Sequence, residues 1–392
     1  MASKVNAQTQ PAQRVAPCKA PAPVCKAADA VFAISSFDPF GSAVRIAPKL
    51  LVTNRHLIAD ARTAKIAIGQ GRKITADVIA TAYRNDVVLL YAPDLPPGPV
   101  LRPGFGSPVG GIYTVGASLS RPPVVTVYER GRLLAMAKRS LPSSRLHHTA
   151  LTQRGNSGGA VVDARGRLIG IAASGGEGRY EAIPAAALTR LLQRSGPNQA
   201  AAHQQIGVAY RQCFEALEQF RPRQLLREPR NRMPTLMRAC LATGDRQLYD
   251  LAAQALGRVR IFRYAIDLYE RSVALDPGSL NARLGLAITL VFARQAERAR
   301  PHVSTLLTAI PQEPRVQRLA VQVGKVTQDE ALIAQALGAI KTYNPGGMAA
   351  ARRFLAAPLR SQRRRPEHPL KRLRPRPPPQ SRPATPLAPR RP

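Results

Sequence analysis

The 392-residue sequence has no tryptophan, few other aromatic residues and a marked shortage of acidic side chains. Only 23 Asp and Glu stand against 58 Lys and Arg, which gives a formal net charge of +35. No apolar run approaches the roughly 18 residues that a membrane-spanning helix needs, so a protein built on such helices is excluded. The 45% of hydrophobic residues suffice for a core, which excludes a wholly disordered chain.

The first residues, MASKVNAQTQPAQ, also lack the apolar segment of a secretory signal, so the visible start predicts no export. Cysteine is scarce, and its four copies fall into two local pairs, Cys18 with Cys25 and Cys213 with Cys240. Two disulfides formed in an oxidising compartment are one interpretation of this spacing, and four free thiols in the cytosol are the other.

Composition and periodicity change along the chain and predict five segments. Residues 1–30 are rich in Ala, Pro and Gln and predict a disordered segment. Residues 31–196 alternate short apolar runs with Gly- or Pro-containing turns, which is typical of antiparallel β-strands in a barrel or sandwich. Helical periodicity then predicts a connector over 197–245 and paired helices over 246–347. Residues 348–392 form the fifth segment.

The helical segment contains a repeat. Pro277, Pro311 and Pro345 recur every 34 residues, each after a helical stretch. The small and large apolar residues between them resemble the tetratricopeptide repeat, in which two antiparallel helices pack closely, although generic helical hairpins remain an alternative. In the third repeat Gly324 replaces an expected large apolar residue, which predicts a less regular unit.

The last segment, 348–392, holds 13 Lys or Arg, 11 Pro and one acidic residue, and predicts a disordered basic tail. Such a tail can bind nucleic acid or an anionic surface by releasing counterions. It lacks the aromatic side chains on which single-strand binders stack bases, and a merely solvated terminus is the alternative.

The strongest chemical signal is QRGNSGGAVV at 153–162, where Ser157 lies between glycines at the start of an apolar strand. A nucleophilic serine must project from a tight turn, and the amides of Gly155 and Ser157 can converge there on the oxyanion of acyl transfer. A Gly-rich surface turn is the plainer interpretation of this string alone.

Two further residues support the nucleophile. His56, in LLVTNRHLIADA, follows a β-type run and predicts a general base. Asp86, in YRNDVVLLYAP, comes directly before a buried strand and predicts the carboxylate that orients the imidazole. We set aside four other candidates as bystanders or binding-cleft residues: His147, His148, Asp60 and Asp77.

The segments TNRHL, NDVVLL and GNSGGAVVDARGRLIGI over about 31–190 resemble the trypsin-like serine peptidases, closest to the bacterial HtrA/Deg branch. The order His, Asp, Ser is that of the chymotrypsin-type triad. The resemblance implies two six-stranded β-barrels, endopeptidase activity through an acyl-enzyme, and no metal or organic cofactor. It assigns His56 as base, Asp86 as orienting acid, Ser157 as nucleophile, and Gly155 with Ser157 as oxyanion donors.

Three departures from that pattern stand out. No Cys lies beside His56 or Ser157, Gly41-Ser42-Ala43 replaces a GSG string, and helical repeats stand where the HtrA branch usually has a PDZ domain.

Leu151, six residues before the nucleophile, supplies no carboxylate for a basic substrate side chain. We therefore expect cleavage after small or medium apolar residues, in a pocket lined by Leu151, Ala172, Ala173, Ser174 and Gly175.

These patterns together predict an all-β chymotrypsin-like protease domain followed by an all-α repeat domain. The functional hypothesis is a serine endopeptidase whose repeats recruit a protein partner or substrate. The alternative is a latent or inactive protease-fold scaffold that acts mainly through its repeats. The paired cysteines and the resemblance favour export to the periplasm, whereas the visible start favours the cytoplasm.

Overall fold

Short β-strands fill the first half of the chain and helices fill the second, in a computed structural model that describes residues 18–120, 122–221 and 233–358. The disorder predicted for 1–17 and for 359–392 lies outside the described residues. The predicted order of an all-β domain followed by helical repeats is confirmed.

Residues 18–30 are structured, which corrects the prediction of a disordered segment up to residue 30. Helix α1 (Ala22–Ala27) leads through a 3-10 turn into the first strand. Val24, Ala27 and Ala30 are buried in a core shared with both halves of the β domain. Burial of these small apolar side chains offsets the entropy cost of ordering a segment whose composition suggested a tail.

Two disulfides are formed, one between Cys18 and Cys25 and the other between Cys213 and Cys240. The first closes a loop of 7 residues within the N-terminal segment. The second closes a span of 27 residues and joins two helices of the connector. Each bridge restricts the unfolded chain and so favours the folded one.

The first β-barrel holds its apolar side chains inward, among them Leu51, Ile66 and Leu90, all fully buried. A short helix, α2 (Arg55–Ile58), follows its third strand. The strands are β1 (Val31–Ser35), β2 (Gly41–Ala47), β3 (Leu50–Thr53), β4 (Thr63–Ala67), β5 (Lys73–Ile79) and β6 (Val88–Tyr91). They close in the order β1-β2-β3-β6-β5-β4, with every pair antiparallel, as predicted for this half.

The second half of the domain is a seven-stranded antiparallel sheet. Its strands are β7 (Ile112–Ala117), β8 (Val125–Val127), β9 (Leu133–Ala135), β10 (Leu146–His148), β11 (Ala160–Asp163), β12 (Leu168–Gly176) and β13 (Arg179–Pro184). Their order is β8-β7-β11-β12-β13-β10-β9. The expected second six-stranded barrel is therefore not closed by a continuous ladder within the described strands. Both end strands have only three residues, and a single bridge between Ile112 and Gly131 brings β7 back toward β9.

Ten helices follow the strands in the described part of the chain. They are α3 (Ala187–Gln193), α4 (Ala200–Gln219), α5 (Thr235–Leu241), α6 (Arg246–Arg258), α7 (Phe262–Leu275), α8 (Leu280–Phe292), α9 (Ala296–Ala309), α10 (Pro314–Thr327), α11 (Glu330–Tyr343) and α12 (Met348–Ala356). Helices α6 to α11 form three consecutive hairpins, one for each 34-residue unit.

Helix α12 corrects the prediction that the disordered tail begins at residue 348. The stretch MAAARRFLA has four alanines and no proline, so its helix propensity is high, and Ala351 is buried against the last hairpin. The proline-rich part of the tail begins only at Pro358.

The third hairpin is as complete as the first two, so the irregularity expected from Gly324 is not observed. A methyl group at that position would lie 2.8 Å from the Ile333 side chain and 3.2 Å from the Asp329 carbonyl oxygen. Glycine therefore allows α10 and α11 to approach closely, and Ile333 supplies the apolar contact from the opposite helix.

The β domain and the helices share hydrophobic contacts. The helical core includes Ala59, which follows α2, and Phe37 and Leu134 of the β domain pack against it. Phe37 also lies beside Phe214 of α4, with ring centroids 5.8 Å apart. All described residues belong to one compact unit, Met1–Pro358. Across the described ranges, no helix combines the length and hydropathy needed to cross a membrane.

Candidate active site

His56 and Asp86 are brought together by the first barrel. His56 lies on α2, directly after β3, and Asp86 precedes β6, which pairs with β3. The His56 ring contacts Asp86 through Nδ1 and Oδ2 at 2.7 Å, and the His56 backbone N–H donates to Asp86 Oδ1 at 2.8 Å. The carboxylate therefore holds both the backbone and the ring of His56, leaving Nε2 as the nitrogen able to accept a proton.

The electrostatics of this pair suit a general base. Burial alone would lower the pKa of His56, but the charge of Asp86 and its hydrogen bond to the ring raise it above the ordinary value of 6.5. Asp86 is 1% exposed, and its backbone carbonyl accepts a hydrogen bond from Asn54 Nδ2 at 2.9 Å. A carboxylate fixed in this way stabilises the imidazolium that forms when a serine proton is transferred.

Ser157 lies in the turn that precedes β11. Gly155 has a φ of +94° and Gly158 a φ of +81°, values that favour glycine. A methyl group at residue 158 would lie 2.1 Å from the Ser42 carbonyl oxygen, so this glycine makes room for the first barrel rather than for substrate.

The backbone amides of Gly155 and Ser157 have no hydrogen-bond partner within the described residues. Two unpaired N–H groups beside a serine hydroxyl form an arrangement that can stabilise an oxyanion. The Ser157 hydroxyl donates to the Ala173 carbonyl oxygen at 3.4 Å, and among the described contacts it has no hydrogen bond to His56.

Ser42 and Asn156 support the serine turn, and the sequence analysis did not identify either of them as a site residue. Ser42 lies on β2, and its hydroxyl donates to the Gly155 carbonyl oxygen at 2.7 Å while its N–H donates to the Ser157 carbonyl oxygen at 2.8 Å. Asn156 accepts from the Gln153 N–H at 2.6 Å and donates to the Ala117 carbonyl oxygen at 2.9 Å. The tendency of Asn to bond to nearby backbone in turns was the one local signal for it.

Arg55, next to the base, was also missed. Its side chain is buried and donates to the Tyr83 carbonyl oxygen at 3.1 Å and to His203 Nδ1 of α4 at 3.3 Å. A methyl group at Gly207 of α4 would lie 2.5 Å from the Ala59 carbonyl oxygen, so this helix packs tightly behind α2. Helix α4 of the connector therefore packs against α2, the helix that carries His56. No local pattern around Arg55 indicates this contact.

The residues expected to line a specificity pocket differ in how exposed they are to solvent. Ala172 and Ala173 are buried, Leu151 and Ser174 are half-buried, and Gly175 is exposed. The described residues contain no group of three or more His, Cys, Asp or Glu side chains placed to hold a metal ion. The cleavage preference stays a prediction.

Three of the four residues that were set aside form contacts outside the site. Asp60 pairs with Arg211 of α4. His147 Nε2 contacts Asp276, between α7 and α8, at 2.9 Å. His148 lies inside the second sheet beside Tyr180, and burial there lowers its pKa to about 4. Asp77 is exposed on β5.

The closed barrel, the second antiparallel sheet and the paired helices that follow define a trypsin-like peptidase fold joined to helical repeats. Comparison with known families agrees with this class. The family described as "Trypsin-like peptidase domain" matches residues 41–171, and the family described as "Tetratricopeptide repeat" matches residues 262–323. The chain therefore contains a trypsin-like peptidase domain and a tetratricopeptide repeat region, as the resemblance predicted.

Curated relatives match about a third of the chain. The periplasmic serine endoprotease DegP of Salmonella typhimurium is 30% identical over 146 residues, which are 34% of this chain and 30% of that protein. DegP of Escherichia coli K12 is 30% identical over 130 residues, 31% of this chain and 26% of that protein. The chain thus spans less than a third of the length of these relatives.

Among solved structures, an HtrA-type protease, AlgW with tripeptide, is 28% identical. The match covers 44% of this chain and 61% of that chain, with a TM-score of 0.38.

Proposed function

We propose that this protein is a serine endopeptidase that forms an acyl-enzyme on Ser157. His56 would act as general base and then general acid, Asp86 would hold its tautomer, and the amides of Gly155 and Ser157 would bind the oxyanion. The observation that carries the proposal is the double hydrogen bond from His56 to Asp86, beside a serine turn with two unpaired amides.

Labelling with a fluorophosphonate probe, together with cleavage of unfolded casein, tests this proposal. We expect the purified full chain to be labelled, and Ser157→Ala and His56→Ala each to lower cleavage by about 10⁴-fold or more because removal of either residue disables the whole triad. Ser304→Ala, on the exposed face of α9, is the matched serine control and should match the wild type. A folded wild-type chain that takes up no probe would rule out a constitutive peptidase.

A latent protease-fold scaffold is the second candidate. It is favoured by the Ser157 hydroxyl, which donates to Ala173 rather than to His56. This candidate predicts that the folded chain is unreactive alone and becomes labelled only when a peptide or protein occupies it. The same labelling experiment, repeated in the presence of casein, separates the two candidates.

We further propose that substrates are cleaved after small or medium apolar residues, because Leu151 offers no carboxylate to a basic side chain. The repeats would bind a protein partner or substrate, and the positive charge of the chain favours acidic segments. Mass spectrometry of casein fragments would reveal the cleavage preference. Binding of Ser157→Ala to arrayed acidic and basic peptides would test the repeats.

Export to the periplasm is proposed from the two disulfides and from the periplasmic relatives. Mass spectrometry of protein isolated from its native cells, with and without reductant, should then detect two bridges. Four free thiols in that sample would argue for the cytoplasm. Binding of nucleic acid or an anionic surface by residues 359–392 stays a prediction about a segment outside the described residues.

A further inference from the structure

The helical repeats touch the second sheet through one repeated position. Asp245, Ser279 and Glu313 are spaced by 34 residues, and each caps the first helix of its repeat with its side chain. Each also bonds to the β domain, so we call these three residues the cap row. Asp245 accepts from Arg145, Ser279 donates to Glu181, and Glu313 accepts from Arg179.

Glu181 of β13 is the centre of this contact. It is 2% exposed, and its carboxylate is paired with Arg246 of α6 and accepts hydrogen bonds from Ser279 at 3.1 Å and Asn281 at 3.2 Å. Its remaining hydrogen bond comes from Ser174 of β12, at 3.2 Å. A buried carboxylate is stable only when charges and donors surround it, and here the repeats and the β domain both supply them, since Arg145 and His147 also lie 3.5 and 3.8 Å from Glu181.

Ser174 is also held by Arg145 of the β domain, which contacts the same helices. Arg145 donates to the Ser174 hydroxyl at 2.9 Å, and Arg145 is itself fixed by Gln247 at 3.1 Å and by Asp245 at 3.4 Å. The ladder between β12 and β13 shifts register between Ala172 and Ser174. The pairing resumes at Ser174, which lies opposite Glu181 in the ladder, so the side-chain hydrogen bond between these two residues holds β12 to β13 directly after the shift.

The segment that Ser174 begins, Ser174–Gly176, lies next to the nucleophile. The Ala173 carbonyl oxygen accepts a hydrogen bond from the Ser157 hydroxyl. The pairing of β12 with β11 ends at Ala172, so beyond that residue one edge of β12 has no partner strand in the described chain. An unpaired strand edge binds an extended peptide by adding it as a further strand. Gly175 is exposed in this segment, and a methyl group there would lie 2.5 Å from the Arg179 carbonyl oxygen, so the glycine lets β12 approach β13 closely.

We infer that Glu181 is a positioning residue through which the repeat array fixes the Ser174–Gly176 edge for extended substrates. The inference rests on the proposed peptidase function. Small reagents that react at Ser157 without pairing along β12 should react at the same rate whether or not Glu181 is replaced. Peptides that must pair with the edge should depend on it, since small displacements of a bound substrate are costly in rate.

The test compares two reactions of Glu181→Gln in the full chain. We expect fluorophosphonate labelling of Ser157 to stay within about 2-fold of the wild type, while kcat/KM for unfolded casein falls by about 10-fold or more, mainly through KM. Glu270→Gln is the matched control, because its carboxylate pairs with Arg298 on the exposed surface of the same repeats. It should change neither reaction.

A second pair of variants avoids the risk that Glu181→Gln does not fold. Ser174→Ala removes the hydroxyl held by Arg145 and Glu181 and should reproduce the selective loss, whereas Ser174→Thr keeps a hydroxyl and should restore casein cleavage. Equal losses of labelling and cleavage, or no loss of either, would overturn the inference while leaving the peptidase proposal intact. An unlabelled wild type would instead overturn the peptidase proposal, and the inference with it.

Discussion

His56 and Asp86 reach the site from the closed barrel, whereas Ser157 reaches it from the open second sheet, and the two groups are held in different ways. The first pair is joined directly, by hydrogen bonds of 2.7 and 2.8 Å. The serine turn is held through Ser42. The β12 edge beside it is held through Glu181 and Arg145 of the β domain, which the repeats contact in turn.

The comparison shows that the two halves of the site are held in place by different kinds of contact. The base is fixed within one barrel by backbone pairing of β3 with β6, with α4 packed behind it. The edge of β12 has an interrupted ladder and depends on charges buried between two domains. A change in the repeats should therefore disturb the substrate side of the site before it disturbs the His56–Asp86 pair.

The largest effect should come from breaking the direct pair. Asp86→Asn keeps the shape of the side chain but no longer holds the tautomer that leaves Nε2 free, so kcat for casein should fall by about 10⁴-fold. Steady-state cleavage assays measure this, with Asp77→Asn as the exposed carboxylate control. A loss of less than tenfold would mean that Asp86 does not orient the base.

Breaking the charge network should affect stability more than the chemistry of Ser157. Arg246→Ala leaves the buried Glu181 and Asp276 carboxylates without their shared cation. We expect the free energy of unfolding to fall by about 3–5 kcal/mol, as for other buried pairs that lose one partner. Urea unfolding followed by circular dichroism measures this.

Arg271→Ala is the control for that experiment, since Arg271 pairs with Asp267 on the surface. Its loss should cost about 0–1 kcal/mol. Equal losses in the two variants would show that the buried network adds nothing beyond a surface pair.

A smaller effect should distinguish the two halves by pH. Burial lowers the pKa of His203, behind the first barrel, and of His148, in the second sheet, to about 4. The unfolded chain binds these protons at about pH 6.5 while the folded chain does not, so the free energy of unfolding should fall as the pH drops from 6.5 to 4. Unfolding titrations at several pH values measure the slope.

His203→Gln should reduce the dependence of the free energy of unfolding on pH between 6.5 and 4, while His148 in the second sheet should still contribute to it. A further loss of stability is expected at lower pH. Burial alone would raise the pKa of Asp276, but its hydrogen bond from His147 lowers it to about 2. The stability that Asp276 contributes is therefore present above its unfolded pKa of 3.8 and is lost between there and pH 2. A free energy of unfolding that does not change between pH 7 and pH 4 would contradict the histidine prediction, and one that does not change between pH 4 and pH 2 would contradict the Asp276 prediction.

The fold was readable from the sequence because strand runs and the 34-residue spacing are regular patterns along the chain. The strings around His56, Asp86 and Ser157 predict the candidate site in the same way, since each string is only a few residues long. In the second half of the β domain, β8 and β9 have only three residues each, and β7 returns toward β9 through a single bridge between Ile112 and Gly131.

The residues that join the domains could not be recognised in the same way. Arg145 and Glu181 are separated from Asp245 and Asp276 by many residues, and each is an ordinary surface type until folding buries it. His147 was set aside because of its place in the sequence shortly before Ser157, whereas its partner Asp276 lies in the helical domain. The N-terminal segment was misjudged because composition does not reveal a docking surface elsewhere in the chain.

The cap row also limits how this array can change its length. Asp245, Ser279 and Glu313 meet three different groups on a β domain whose spacing is set by its strands. Inserting or deleting a repeat before Glu313 would present the wrong cap to Arg145, Glu181 or Arg179. Lengthening is free of this restriction only beyond α11, so a lineage that varies its number of repeats should vary it at that end.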